Sequence, residues 1–143
     1  MKPIEIALQE YGTHDIKGIL NSDTVMRYFK EIGQKWVTND DTAWCAAFVN
    51  WVLLKAKKQQ TGSLSARSFM TYGTPTTTPN IGDIVILWRI YRDSAFGHVG
   101  FFIKEEKNNI YILGGNQNDE VNISIFPKAR LLGYRQIPEI SHA

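Results

Sequence analysis

The sequence has only one cysteine, Cys45, in 143 residues. An internal disulfide is therefore excluded, and so is a zinc site built on several thiolates. An excess of charge of one sign is also lacking. Sixteen Lys and Arg face fourteen Asp and Glu, and the formal net charge of +2 is too small to argue for nucleic acid as a partner, though it is compatible with an anionic polymer. No apolar run approaches the ~20 residues that a membrane-spanning helix needs, so membrane insertion is not expected. The opening Met1-Lys2-Pro3-Ile4-Glu5 has an acidic residue and no apolar stretch behind it. It reads as a chain made in the cytoplasm without a signal peptide, which some route other than general secretion must release if it acts outside. Histidine is scarce as well, with His14, His98 and His142 only. There is no internal repeat and no low-complexity tract. What remains is an ordinary globular composition on a length that suits one domain, 1–143, with a core over about 20–137.

The order of patterns along the chain gives the fold class. Pro3 suits a first helical turn, and Ile4, Ala7 and Leu8 share a side, so a helix is predicted over 3–11 with Gly12 ending it. A second helix runs from Ser22 or Asp23 to Ile32, burying Val25, Met26, Phe29 and Ile32, with Gly33 as its stop. Trp44, Ala47, Phe48, Trp51 and Val52 recur at the spacing of one helical face, so a third helix is expected up to about Lys57, capped by Asp41 or Thr42. A short helix over 63–72 follows, then a Thr- and Pro-rich loop over 73–80. From Ile81 the pattern turns to strands. The run 83–89 is apolar on both faces, 98–104 alternates, and 110–113, 121–126 and 131–136 complete the set. Helices first and strands afterwards indicate α+β, with an antiparallel sheet packed on the third helix.

That helix carries the cysteine in its first turn. Unpaired N–H groups and the helix dipole favour negative charge there, so a thiolate forms more easily. Against this stands the common use of a lone cysteine as a small core residue. A cysteine hydrolase further needs a base, a group that orients the base, and donors for an oxyanion. His14 lies in an early turn and His142 in the tail, whereas His98 begins a core strand between Gly97 and Val99-Gly100. Asn116 ends the next strand, 18 residues later; a hairpin of the two strands would bring it beside His98, where an amide can hold the ring. A satisfied strand-end histidine and a plain Gly-Gly-Asn turn are the alternatives. Together, Cys45, His98 and Asn116 have the order of a papain-like site.

Trp44-Cys45-Ala46-Ala47-Phe48-Val49-Asn50-Trp51, Gly62-Ser63-Leu64-Ser65-Ala66-Arg67-Ser68, Gly82-Asp83-Ile84-Val85, Gly97-His98-Val99-Gly100-Phe101, Leu113-Gly114-Gly115-Asn116-Gln117 and Arg130-Leu131-Leu132-Gly133-Tyr134-Arg135 follow in order. This set resembles a small bacterial and phage family related to the NlpC/P60 and CHAP peptidoglycan hydrolases. The resemblance implies a papain-like fold and cleavage of amide bonds in peptidoglycan stem peptides or crosslinks. By the resemblance, Cys45 is nucleophile, His98 base and Asn116 the orienting residue, with no metal or cofactor required. Two departures stand out. Many NlpC/P60 enzymes have Asp-Cys-Ser where this chain has Trp44-Cys45-Ala46, and CHAP enzymes often have a glutamate where this chain has Gly114.

Around these residues, Trp44, Ser65, Arg67, Gly97 and Gln117 are candidate substrate contacts, with Arg67 and Ser65 placed to meet a stem-peptide carboxylate. Trp88, Tyr91, Arg92 and Phe96 flank the loop before His98 and could line a groove, although Trp88 suits the core equally well. The expected partner is peptidoglycan. The expected setting is the cell wall or periplasm, reached by a phage lysin through a membrane lesion or by a toxin injected through a contractile secretion system, the latter with an immunity protein and a delivery apparatus. An N-acetylmuramoyl-L-alanine amidase, a non-catalytic wall-binding module and a protein deamidase are the competing readings.

Overall fold

The computed structural model describes residues 1–14, 23–34 and 44–139. Three helices, α1 (Pro3–Gln9), α2 (Asp23–Glu31) and α3 (Cys45–Lys55), precede six strands: β1 (Thr74–Thr76), β2 (Ile84–Trp88), β3 (Gly97–Glu106), β4 (Asn109–Gln117), β5 (Glu120–Pro127) and β6 (Leu131–Gln136). The strands form one sheet in the order β1-β6-β2-β3-β4-β5, every neighbouring pair antiparallel. The α+β class, with the cysteine helix packed on an antiparallel sheet, is thus as expected. The predicted strand over 131–136 agrees residue for residue. The run over 83–89 shortens by one residue at each end, and Ile84, Val85, Ile86 and Leu87 are fully buried, as a strand covered on both faces requires.

The helices depart from expectation in instructive ways. Helix α3 begins at Cys45 itself, with Trp44 in the capping position and no side-chain cap. The expected cap at Asp41 or Thr42 falls outside the described residues, as do His142 and the lead-in over 36–40. Nor does α3 have one buried face. Every residue from Cys45 to Leu53 is buried, because the sheet lies on one side and α1 and α2, with the Tyr28 and Phe29 rings of α2, on the other. Tyr28 of α2 stacks on Trp44 at 6.0 Å and meets Phe48 and Trp51 at 5.2 and 5.0 Å. On the sheet side Phe48 meets Phe101 edge-on. Asn50 is the one fully buried polar side chain of α3, and it holds the 61–63 segment by bonding the Thr61 amide, the Thr61 hydroxyl and the Ser63 carbonyl. The segment 63–72 yields only a 3-10 helix over Ala66–Thr71, and the expected loop over 73–80 contributes the edge strand β1, which pairs with β6 despite Pro75.

Where α3 crosses β4 the backbones come very close. A Cβ on Gly115 would stand 2.8 Å from Phe48 Cβ and 2.8 Å from two ring atoms of Trp44. Both obstacles are anchored in the core and have no free end to swing aside. Gly115→Ala is expected to cost about 1–3 kcal/mol through overpacking. Urea unfolding checks this: the midpoint should fall with an unchanged slope.

Candidate active site

The thiol and the imidazole meet where the first turn of α3 faces the start of β3. Cys45 is buried and interacts with His98, itself buried on β3. The first helical bond of α3 is donated by the Phe48 amide to the Trp44 carbonyl, so the three preceding N–H groups have no partner within the helix. The amide of Ala46, one of them, and that of Val99 on β3 favour negative charge on the Cys45 sulfur.

Burial pushes the Cys45 thiol up, but the hydrogen bond and charge of His98 and the two amides outweigh it, holding the thiol below its ordinary value of 9.0. Burial likewise pushes His98 down. The bond to Cys45, the charge on its sulfur and the bond to Gln117 outweigh that, so the imidazole is held above 6.5, with the Arg89 guanidinium opposing. Both shifts favour a thiolate facing an imidazolium.

The other ring nitrogen, Nε2, lies 2.9 Å from Oε1 of Gln117. The surroundings settle the roles of the two atoms. Gln117 Nε2 donates to the Ile112 carbonyl, the Asn122 carbonyl and the Asn122 Oδ1 at 3.0, 2.8 and 3.0 Å. The amide nitrogen is spent on three oxygens, so the amide oxygen must face the histidine and His98 Nε2 must carry a proton. Nδ1 is then the ring nitrogen left for the sulfur. Asn122 is fixed in turn by bonds to the Gln117 carbonyl, Glu120 and Ser124. Phe126 covers the imidazole with its ring centre 5.2 Å away.

Asn116 therefore does not hold the ring in this structure; its neighbour does. The reason lies in β4. Gly114 pairs with Asn122 and Gln117 with Glu120, so Gly115 and Asn116 together stand opposite Val121 alone. This is a bulge, and Asn116 carries it with φ of +57°. Side chains alternate along a strand, so Gly114 and Asn116 would share a face in an unbroken one. The extra residue advances the alternation by one and brings Gln117 to the histidine. The clue in the sequence was the composition of 116–119, Asn-Gln-Asn-Asp, rich in the residues that tolerate positive φ. Asn118 and Asp119 adopt it as well.

Gly114 also acquires a reason. A Cβ there would lie 2.6 Å from Gln117 Oε1 and 3.5 Å from His98 Nε2. The Gln117 amide occupies the space that a side chain at 114 would fill. The glycines of β3 make room for neighbouring strands. A Cβ on Gly97 would meet the Leu87 carbonyl at 2.9 Å, and one on Gly100 the Ile112 side chain at 2.4 Å.

A hollow of about 530 Å³ opens over the pair, lined by Cys45, His98, Asn116, Gln117, Arg89 and Arg130 among others. Of the candidate substrate contacts only Gln117 lines it. Trp44 is buried against Tyr28 and Gly115, and Ser65 and Gly97 lie outside the hollow. The guanidinium of Arg67 is occupied, donating to the Phe96 and Arg92 carbonyls at 3.1 and 2.8 Å. Trp88 is half-buried with its indole N–H on the Ala129 carbonyl, while Tyr91 and Phe96 are exposed. Arg89 and Arg130 were missed by the sequence reading. Among the described residues no group of three His, Cys, Asp or Glu is placed to hold a metal ion.

A helix-borne thiol against a strand-borne imidazole, on a helix packed against an antiparallel sheet, is the arrangement of a papain-like cysteine amidohydrolase. The domain model for CHAP matches residues 37–116, more than half of the sequence, and the chain belongs to the CHAP family, papain-like enzymes related to NlpC/P60. The match ends one residue before Gln117. No curated protein matches the chain. Family membership implies a peptidoglycan hydrolase of the amidase or endopeptidase type and directs it to the cell wall. No helix among the described residues is long and apolar enough to cross a membrane.

Proposed function

We propose that the chain, acting as one catalytic unit over 1–143, cleaves a peptide bond in the stem peptides or crosslinks of peptidoglycan, with Cys45 as nucleophile, His98 as base and acid, and Gln117 as the residue that positions His98. The observation that carries the reading is a buried Cys45 thiol beside His98, whose ring is hydrogen-bonded to Gln117, lining one open hollow.

In the first step the Cys45 sulfur adds to the amide carbonyl, a C–S bond forms and the carbonyl oxygen takes up negative charge. The N–H of Cys45, which has no partner within the helix, is suited to receive that charge. His98 gives its Nδ1 proton to the amide nitrogen, the C–N bond breaks and the amine leaves. A water then gives a proton to His98 and attacks the thioester; the carboxylic acid departs and thiolate and imidazolium are restored. Release as a lytic enzyme or delivery as an antibacterial effector, with an immunity protein in the second case, belongs to the same proposal.

The test is digestion of purified sacculi, with the products resolved by mass spectrometry. Because Cys45 is the only cysteine, protein alkylated with iodoacetamide is a matched control. Fragments released by native protein alone, with new amino termini on stem-peptide residues, are the expected result. Products split between lactyl group and peptide would instead assign an N-acetylmuramoyl-L-alanine amidase. No release from sacculi of several wall chemistries would overturn the wall-hydrolase reading and leave protein deamidation or non-catalytic wall binding.

A further inference from the structure

Resting on the hydrolase reading, we infer that Arg89 and Arg130 form an anion subsite beside the reacting thiol, and that it receives a free carboxylate on the substrate one or two residues from the scissile amide. Both arginines line the hollow that holds Cys45 and His98. Arg130 is held in place: its Nε donates to the Trp88 carbonyl at 3.0 Å, and its guanidinium lies 5.9 Å from the Trp88 ring and 5.9 Å from the Phe126 ring. Phe126 is the same ring that covers His98 at 5.2 Å. One aromatic ring therefore separates this guanidinium from the catalytic imidazole, a separation that an extended peptide spans in a few residues.

Arg89 is anchored through its backbone. Its carbonyl accepts from the Tyr91 amide and from the Ser94 hydroxyl, which fixes the turn on which it sits. Its side chain makes no hydrogen bond or ion pair with a described residue, yet its charge reaches His98. Two guanidiniums face the one carboxylate among the residues lining the hollow, Asp119, which has an interaction of its own. Arginine forks suit carboxylates, which they bind with paired N–H donors. Arg67, the sequence candidate for this task, is tied to two backbone carbonyls instead. Stem peptides carry free carboxylates on their acidic residues, and some walls cap them as amides, so the subsite would discriminate between the two.

Two measurements separate this inference from the reading it rests on. The first uses Cys45 itself, alkylated by anionic iodoacetate or neutral iodoacetamide; in both, a C–S bond forms and iodide leaves. Arg89→Gln is expected to lower the iodoacetate-to-iodoacetamide rate ratio about threefold or more, and Arg130→Gln likewise, with salt reducing the ratio in native protein. The second compares stem peptides that differ only in a free or amidated carboxylate. Native protein should favour the free acid, and Arg89→Gln should erode that preference about tenfold, raising KM for the free acid relative to the amidated peptide. An unchanged alkylation ratio in both variants would overturn the anion subsite. A lowered ratio without any acid preference would overturn its role in substrate choice. Cleavage of neither peptide would count against the hydrolase reading, while the ratio would still decide whether the anion site exists.

Discussion

Replacing His98 by alanine is expected to lower kcat/KM for sacculus fragments about ten-thousand-fold or more, a loss of roughly 5.5 kcal/mol of transition-state stabilisation. The size follows from the number of tasks the ring performs. It faces the thiolate, donates to the leaving amine and accepts from the attacking water, and groups that act as a unit are lost together. A second readout does not depend on the substrate. The Cys45 thiol is held low because the hydrogen bond and charge of His98 outweigh burial. Without the ring, only the Ala46 and Val99 amides oppose burial, so the thiolate absorbance of His98→Ala should appear at higher pH than in native protein, and alkylation at neutral pH should slow.

The same two shifts set the shape of the native pH profile. Cys45 lies below its ordinary value, so the acid limb, where thiolate is lost as pH falls, belongs below 9.0. His98 lies above its ordinary value, so the alkaline limb, where the leaving amine loses its proton donor as pH rises, belongs above 6.5. The two groups titrate as a pair, so the limbs report the pair and not either residue alone. A non-catalytic wall-binding module would show neither limb, and its affinity for sacculi would be indifferent to His98→Ala.

What could be read from the sequence was what periodicity and chain order control. The apolar run of β2, the alternation of β3 and the buried residues of α2 all announce themselves, because each depends on local pattern alone. Tyr28 did not, since a tyrosine on a helix reads as exposed until Glu10 is seen accepting its hydroxyl and Trp44, Phe48 and Trp51 surrounding its ring. The start of α3 was misplaced for a related reason. Asp41 and Thr42 have good capping chemistry, but the helix starts later, with Trp44 in the capping position and no cap bond from its own side chain. Cys45 and His98 were legible because scarcity left few candidates. Arg89 and Arg130 were not, because 41 residues separate them and only the pairing of β2 with β6 brings the end of one strand, before Arg89, beside the start of the other, after Arg130. Long-range position of this kind leaves no local signature.

The bulge in β4 is the sharpest case, and it yields the second large effect. Strict alternation points to Asn116; the structure joins Gln117 to His98. Gln117→Ala is expected to lower kcat about 100-fold. It removes a bond to a charged imidazole, worth about 1.5–3 kcal/mol, and frees the ring to turn away from the sulfur. Loss of that bond also lets His98 fall toward its ordinary value, so the alkaline limb should move to lower pH. A purely structural residue would change the melting temperature and leave the limb where it is. Asn116→Gly is the matched comparison. Glycine accepts the φ of +57° without strain, so the bulge survives and only the side chain is lost. Its expected cost is a few-fold in KM, from a residue that lines the hollow, with an unmoved alkaline limb. A carboxylate is not an equivalent replacement at 117. Gln117→Glu would turn an oxygen toward the Ile112 and Asn122 carbonyls and the Asn122 Oδ1, where the amide now donates, and is expected to destabilise the fold by about 1–3 kcal/mol. If instead Asn116→Gly silences the enzyme and Gln117→Ala leaves both kcat and the alkaline limb intact, the positioning role belongs to Asn116 and the bulge must rearrange when substrate binds.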